Sequence, residues 1–288
     1  MGVIKAIVSG IGTTLRKLRV LIILYVANAC FSVIVALPFL AIVQKELGHS
    51  LYGSFIQPVD LMWLGEAMLK HQDALAAFVA GLVACGFAYL VFHIFLNGGV
   101  VGRLLDREGP ADLASFWGDC GRYFWRFVRL FLVSLLFLAL TLGIFMKLVS
   151  GLFAPLSEAA VTEWPPLILS NLHFLIALLL LSIVRMIIDY ARIAVVADEE
   201  RKALKALRQA LTFLRKRFFR AWAIYMLIVA ATVAGSIVFY VVLGRLGAPA
   251  VVQVVAALVW MQLYVVFRIW IGTLFVAAQA EFYRSHPY

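Results

Sequence analysis

The chain has 288 residues, of which 65% are hydrophobic and only 14% charged, with a mean hydropathy of +1.01 and a formal net charge of +10. A soluble domain runs roughly 45–50% apolar and about 25% charged, so these figures exclude a secreted disulfide scaffold, a cytosolic enzyme and a free nucleic-acid binder. In a membrane protein such a basic excess records orientation rather than a polyanionic partner, and no nucleic acid is expected.

A transmembrane helix needs about 20 mostly apolar residues. Six runs qualify: 20–43, 74–95, 127–145, 167–188, 221–243 and 250–275. None alternates with period two, so the expected fold class is an all-α integral membrane bundle rather than a barrel. The first run is too long for a signal-peptide core, and no Ala-x-Ala-like site follows it. Ahead of it Ile4, Ile7, Ile11, Leu15 and Leu18 share one helical face, which predicts an amphipathic helix lying at the membrane surface. After the second run, Asn97-Gly98-Gly99 reads as a helix break or a close-packing site rather than a phosphate cradle. Leu113, Phe116, Cys120, Phe124 and Phe127 then form a second apolar stripe leading into the third run. Pro165-Pro166 suit the start of the fourth. Across 198–220 a third stripe follows, made of Leu204, Leu207, Leu211, Leu214 and Phe218. Asp198, Glu199 and Glu200 stand at its start and Arg215, Lys216 and Arg217 at its end, as the helix macrodipole favours. A short turn, 244–249, joins the last two runs.

Self-comparison predicts three repeated hairpins within one polytopic domain, 1–288, with units of about 1–110, 111–199 and 200–288. Each odd-numbered span is entered through R-x-x-R: Arg16 to Arg19, Arg126 to Arg129 and Arg217 to Arg220. The exits of the even spans align without gaps, so Arg185 matches Arg268; the equivalent count in the second span reaches His93. Of the 25 Lys and Arg, the N-terminal stretch, the second and fourth connections and the tail together hold 18, against Lys45, Lys70, Lys147 and Arg245 on the other side. The positive-inside rule therefore predicts cytoplasmic N- and C-termini in a bacterial inner membrane.

Arg185 and Asp189 are spaced i,i+4 and share a helical face. With Arg268 and His93 they form a candidate anion or lipid-phosphate site; the competing reading is a structural ion pair, or arginines snorkelling to the headgroups. Arg126, Arg129, Arg217, Arg220, Lys202 and Lys205 are candidate headgroup contacts. The expected partners are membrane lipids, chiefly anionic phospholipid, with a protein partner or homo-oligomer as a further option.

Enzyme signatures such as G-x-S-x-G, H-E-x-x-H, a P-loop or a dinucleotide fingerprint are absent from the sequence. No catalytic residue, cofactor or metal is expected. The external connections hold His49, Asp60, Glu66, His71, Asp73, Glu158 and Glu163, but His71 and Asp73 stand two apart and do not share a helical face. Cys30, Cys85 and Cys120 show no pair spacing and read as small hydrophobes, and His173 as a satisfied bundle histidine. The sequence thus points to a non-catalytic binder of lipid or protein, with a transporter or lipid-translocating protein as the alternative.

One further signal comes from the block Asn97-Gly98-Gly99, Ser115-Phe116-Trp117 and Arg122-Tyr123-Phe124-Trp125-Arg126-Phe127, followed by Tyr190-Ala191-Arg192 and the 198–220 helix. It resembles a broad set of bacterial six-span membrane proteins that includes relatives of the glycerophosphodiester phosphodiesterase membrane domain, over about residues 95–225. The resemblance implies a six-span fold. No soluble phosphodiesterase domain stands within these residues, so that activity is not implied.

Overall fold

The computed structural model describes residues 2–47, 72–106, 112–158, 162, 164–246 and 251–285. Among them all regular structure is helical: α1 (Val3–Arg16), α2 (Leu18–Leu47), α3 (Gln72–Leu105), α4 (Leu113–Leu140), α5 (Met146–Glu158), α6 (Trp164–Ala197), α7 (Ala203–Arg245) and α8 (Val251–Arg284). A five-residue π-helical segment, Thr141–Phe145, joins α4 to α5 without a break. Six stretches are long and apolar enough to cross a membrane, and the chain is a polytopic membrane protein. Of the residues expected in external connections, His49, Asp60, Glu66, His71 and Glu163 lie outside the described residues, while Asp73 and Glu158 fall on the backbones of α3 and α5.

Two compact units are formed, one by Met1–Leu21 with Phe95–Tyr288 and one by Ile22–Ile94. In the smaller unit, Tyr89 Oη donates to Asn28 Oδ1 at 2.7 Å, and the Phe31 ring meets Tyr89 edge-on at 5.2 Å. Asn28 Nδ2 in turn donates to the Leu24 carbonyl at 2.7 Å, so both polar groups are satisfied within this helix pair.

The larger unit concentrates its core at one end of its helices. α6 is buried from Met186 to Val196, α8 from Ile271 to Tyr283, α3 from Leu96 to Leu105, α4 from Phe116 to Leu130 and α7 from Ala206 to Ile228, each with a periodic share of its side chains. α1 and the residues after it add Ala6, Gly10, Thr14, Lys17 and Val20, and outside these stretches little is buried beyond Met146, Val149, Ser182 and Phe239. Helix length explains the division. At about 1.5 Å per residue α6 and α8 run about 51 Å and α7 about 65 Å, against a hydrocarbon slab of about 30 Å. The surplus length packs helix on helix. Phe213 is its centre, with ring centroids at 4.9 Å to Tyr283, 5.3 Å to Tyr190 and 5.7 Å to Phe282. Such pairs contribute about 0.5–1.5 kcal/mol each beyond their area.

Local conformation departs from the sequence reading in α4, where the stretch expected as a separate surface helix is continuous with the span that follows it. In α7 a non-helical kink at Arg217 (φ −137, ψ 24) divides the leading stretch from the span, close to the expected boundary. Between α1 and α2 the break falls at Lys17 (φ −113, ψ 43). On α1 Ile4, Leu15 and Leu18 of the apolar stripe are exposed, and the face packed on protein is made of Ala6, Gly10 and Thr14. A Cβ at Gly10 would stand 2.9 Å from the Ala278 backbone nitrogen, so α1 and α8 meet backbone to backbone. Large apolar side chains gain nothing by leaving lipid for protein, and small ones permit this close approach. On α4 the expected stripe does pack through Phe116, Cys120 and Phe127, leaving Leu113 exposed; on α7 Leu207 and Leu214 are inside, Leu204 and Leu211 outside.

Candidate functional site

The glycines that followed the second span position the first cluster. A Cβ at Gly99 would lie 2.5 Å from Cys120 Sγ and 2.7 Å from the Phe116 ring, and one at Gly102 would lie 2.6 Å from Asp119 Oδ2. Asn97-Gly98-Gly99 is therefore a close-packing site, and α3 runs through it unbroken. The close approach brings Arg103 onto Asp119, with Nε and Nη2 at 2.7 and 2.6 Å from Oδ2, both groups mostly buried. Arg103 Nη1 also meets Asp106 at 3.3 Å. Cations cap the end of α3: Lys17 Nζ donates to the Asp106 carbonyl and Arg284 to the Leu105 carbonyl. Burial lowers the Lys17 pKa below the ordinary 10.5, with Arg103 and Arg284 adding to the effect and Asp106 opposing it.

The link between α6 and α7 forms the second cluster. Asp198 Oδ2 accepts from the Tyr283 hydroxyl at 2.8 Å, tying the link to α8. Glu199 Oε1 accepts from the Tyr123 hydroxyl at 2.8 Å and meets Arg122 Nη2 at 3.0 Å, while Oε2 meets Arg126 Nη1 at 3.3 Å. Glu200 Oε2 pairs with Lys205 Nζ at 2.6 Å. Burial pushes the Glu199 carboxyl upward, but the Tyr123 hydroxyl and the two guanidinium groups outweigh it and hold its pKa below the ordinary 4.5. The acidic run thus does more than complement a helix dipole: each carboxylate reaches a different helix.

The residues expected to share an anion site divide among separate partners. Arg185 Nε approaches Asp189 Oδ2 only to 3.9 Å and leaves 74% of its side chain exposed. Asp189 is buried and also meets Arg192 Nη1 at 3.4 Å, a partner that the spacing argument passed over although it lies i,i+3. Arg268 is exposed and approaches the Tyr264 hydroxyl, which lies 2.8 Å from Ser236 Oγ. His93 belongs to the other compact unit, its ring 5.8 Å from Tyr89. His173 packs edge-on against Phe153 at 6.4 Å. Of the candidate headgroup contacts, Arg129, Arg220 and Lys202 are exposed, Arg126 and Lys205 are engaged by Glu199 and Glu200, and Arg217 lies 5.3 Å over the Phe213 ring.

Position along the helices is informative. Arg185 follows Trp164 by about 31 Å of helix, Lys147 follows Arg129 by about 27 Å, and Arg268 stands about 26 Å from Val251. Each interval is close to the thickness of the hydrocarbon slab. Arg185 and Arg268 therefore stand one slab from the far ends of their helices, at the edge of the buried core that begins with Met186 and Ile271.

Two grooves are described. One, of about 440 Å³, is lined by Lys205, Arg208, Gln209 and Thr212; the other, of about 620 Å³, lies between α2 and α3 beside Asn28, Phe31, Cys85 and Tyr89. Neither is lined by Arg185, Asp189 or Arg268. Among the described residues no group of three or more His, Cys, Asp or Glu could hold a metal ion. Cys30, Cys85 and Cys120 are free thiols. The sequence signals for the observed pairs were the Gly98-Gly99-x-x-Gly102-Arg103 spacing and the Asp198–Glu200 run, but neither names its partner helix. Comparison with protein-family models, curated proteins and solved structures gives no match.

Proposed function

We propose that this chain is a non-catalytic protein of the bacterial inner membrane, with both termini cytoplasmic, whose cytoplasmic face binds anionic phospholipid. In this reading the three hairpins are structural repeats, and the packed helix ends form the cytoplasmic face, where a protein partner or second copy can also dock. The observation that carries it is the level of Arg129, Arg185, Arg220 and Arg268. All four are exposed, and they border the apolar stretches on the side where the core begins. Arginine there reaches phosphate while its stem stays in the apolar boundary. The different partners of Arg185 and Arg268 support separate headgroup contacts rather than one shared site.

The test is retention of phosphatidylglycerol against phosphatidylcholine through detergent purification, measured by lipid mass spectrometry. Each basic residue near an anionic surface contributes about 1 kcal/mol, so Arg268→Gln and Arg185→Gln each lower the retained phosphatidylglycerol about five-fold. Additive losses in the double variant mean separate contacts, and non-additive losses mean a shared one. A wild-type protein with no preference for phosphatidylglycerol ends the reading.

A further inference from the structure

Among the described residues Glu199 is the one non-glycine with a positive φ, at 50°. An L residue adopts that region rarely. Here the turn aims a carboxylate at Arg122, Tyr123 and Arg126, which lie within about one turn of α4. Both guanidinium groups also stack on the Tyr123 ring, 5.6 and 5.4 Å from its centroid, which orients them without neutralising them. Two positive charges therefore face one negative charge. The site opens to solvent, since 57% of the Arg122 side chain and 47% of the Glu199 side chain are exposed.

We propose that Arg122, Tyr123 and Arg126 form a binding site for a phosphate-type dianion, and that Glu199 is its displaceable internal occupant. Two guanidinium forks and a phenol match the oxygens and the double charge of a phosphate monoester better than they match one carboxylate. Displacement leaves the link anchored, because Asp198 stays with Tyr283 and Glu200 with Lys205. It also frees Glu199 from its left-handed backbone. The same chemistry is offered by free phosphate esters and by a phosphomonoester lipid headgroup. Only the second source rests on the membrane-face reading above.

The experiment measures radiolabelled inorganic phosphate by equilibrium dialysis in a zwitterionic detergent, and in parallel the retention of phosphatidic acid against phosphatidylcholine through detergent purification. Removing the competing charge in Glu199→Gln tightens binding about ten-fold over wild type. Arg122→Gln with Arg126→Gln in the same background abolishes it. Glu199→Gly serves as the second variant, because glycine takes a positive φ without strain and lacks the carboxylate. A response in the dialysis arm identifies free phosphate as the source, and a response only with phosphatidic acid identifies the lipid. The proposal is overturned if neither carboxylate-free variant exceeds wild type in either arm, or if the double-arginine variant binds as well as its parent. Arg129, Arg185, Arg220 and Arg268 are intact throughout, so failure here leaves the phosphatidylglycerol reading standing, and failure of that reading leaves the dialysis arm untouched.

Discussion

Gly99→Ala measures how tightly α3 is seated on α4. The added methyl would lie 2.5 Å from Cys120 Sγ and 2.7 and 2.9 Å from two Phe116 ring carbons. Neither neighbour can swing into solvent or lipid, since Cys120 is 0% and Phe116 1% exposed. Three contacts this short put the overpacking cost in the upper part of its usual range, about 2–3 kcal/mol, while alanine gains about 1 kcal/mol over glycine in a helix, leaving a net loss of about 1–2 kcal/mol. For a chain of this size that lowers the apparent Tm by about 2–8 °C. Gly121→Ala is the control: nothing lies within 4 Å of its Cβ, so helix propensity alone acts and the Tm rises by about 1–4 °C. Scanning fluorimetry of the detergent-solubilised protein reads both. Cys120→Ala removes the sulfur that the methyl would strike, so the double variant Gly99→Ala/Cys120→Ala is more stable than the two single losses predict, by about 1 kcal/mol. A Gly99→Ala protein as stable as Gly121→Ala, or single losses that simply add, refutes the close approach.

Three further outcomes are expected. In a chain whose Cys30 and Cys85 are replaced by Ala, a membrane-impermeant thiol reagent added outside labels a cysteine introduced at Ser157 and spares one at Lys205; the reverse pattern inverts the topology. Gln279 is fully buried with neither amide atom partnered, so Gln279→Leu raises stability by about 1 kcal/mol, and a fall in Tm shows that the amide is satisfied in the membrane. The folded pKa of Glu199 lies below its unfolded value of 4.5, so the stability it adds is complete above pH 4.5 and drains away as pH falls through the folded value. Glu199→Gln accordingly flattens the acid limb of a Tm-against-pH curve, and an unchanged limb contradicts the bridge to α4.

Composition and run length alone determined that this is a helical membrane protein with six stretches able to span, because apolar length is a local property that hydrocarbon thickness imposes directly. The periodic stripe through Phe116, Cys120 and Phe127 was legible for the same reason, helical spacing being written in consecutive residues. Which stripe faces protein was not. Lipid and core are both apolar, so the large residues of α1 point outward and the small face of Ala6 and Gly10 packs instead. The continuity of α4 through Arg126 and Arg129 also escaped the sequence, since charged residues do not by themselves end a helix, whereas the kink in α7 falls at Arg217, where its arginine pair begins. Only the tertiary structure decided the partners. Arg103 finds Asp119, and Glu199 finds Arg122, Tyr123 and Arg126 more than seventy residues away. Arg185 and Arg268, aligned by pattern, meet different neighbours. Charge pairing depends on how helices are docked, and docking rests on close contacts at a few glycines that carry no record of the helix they will touch.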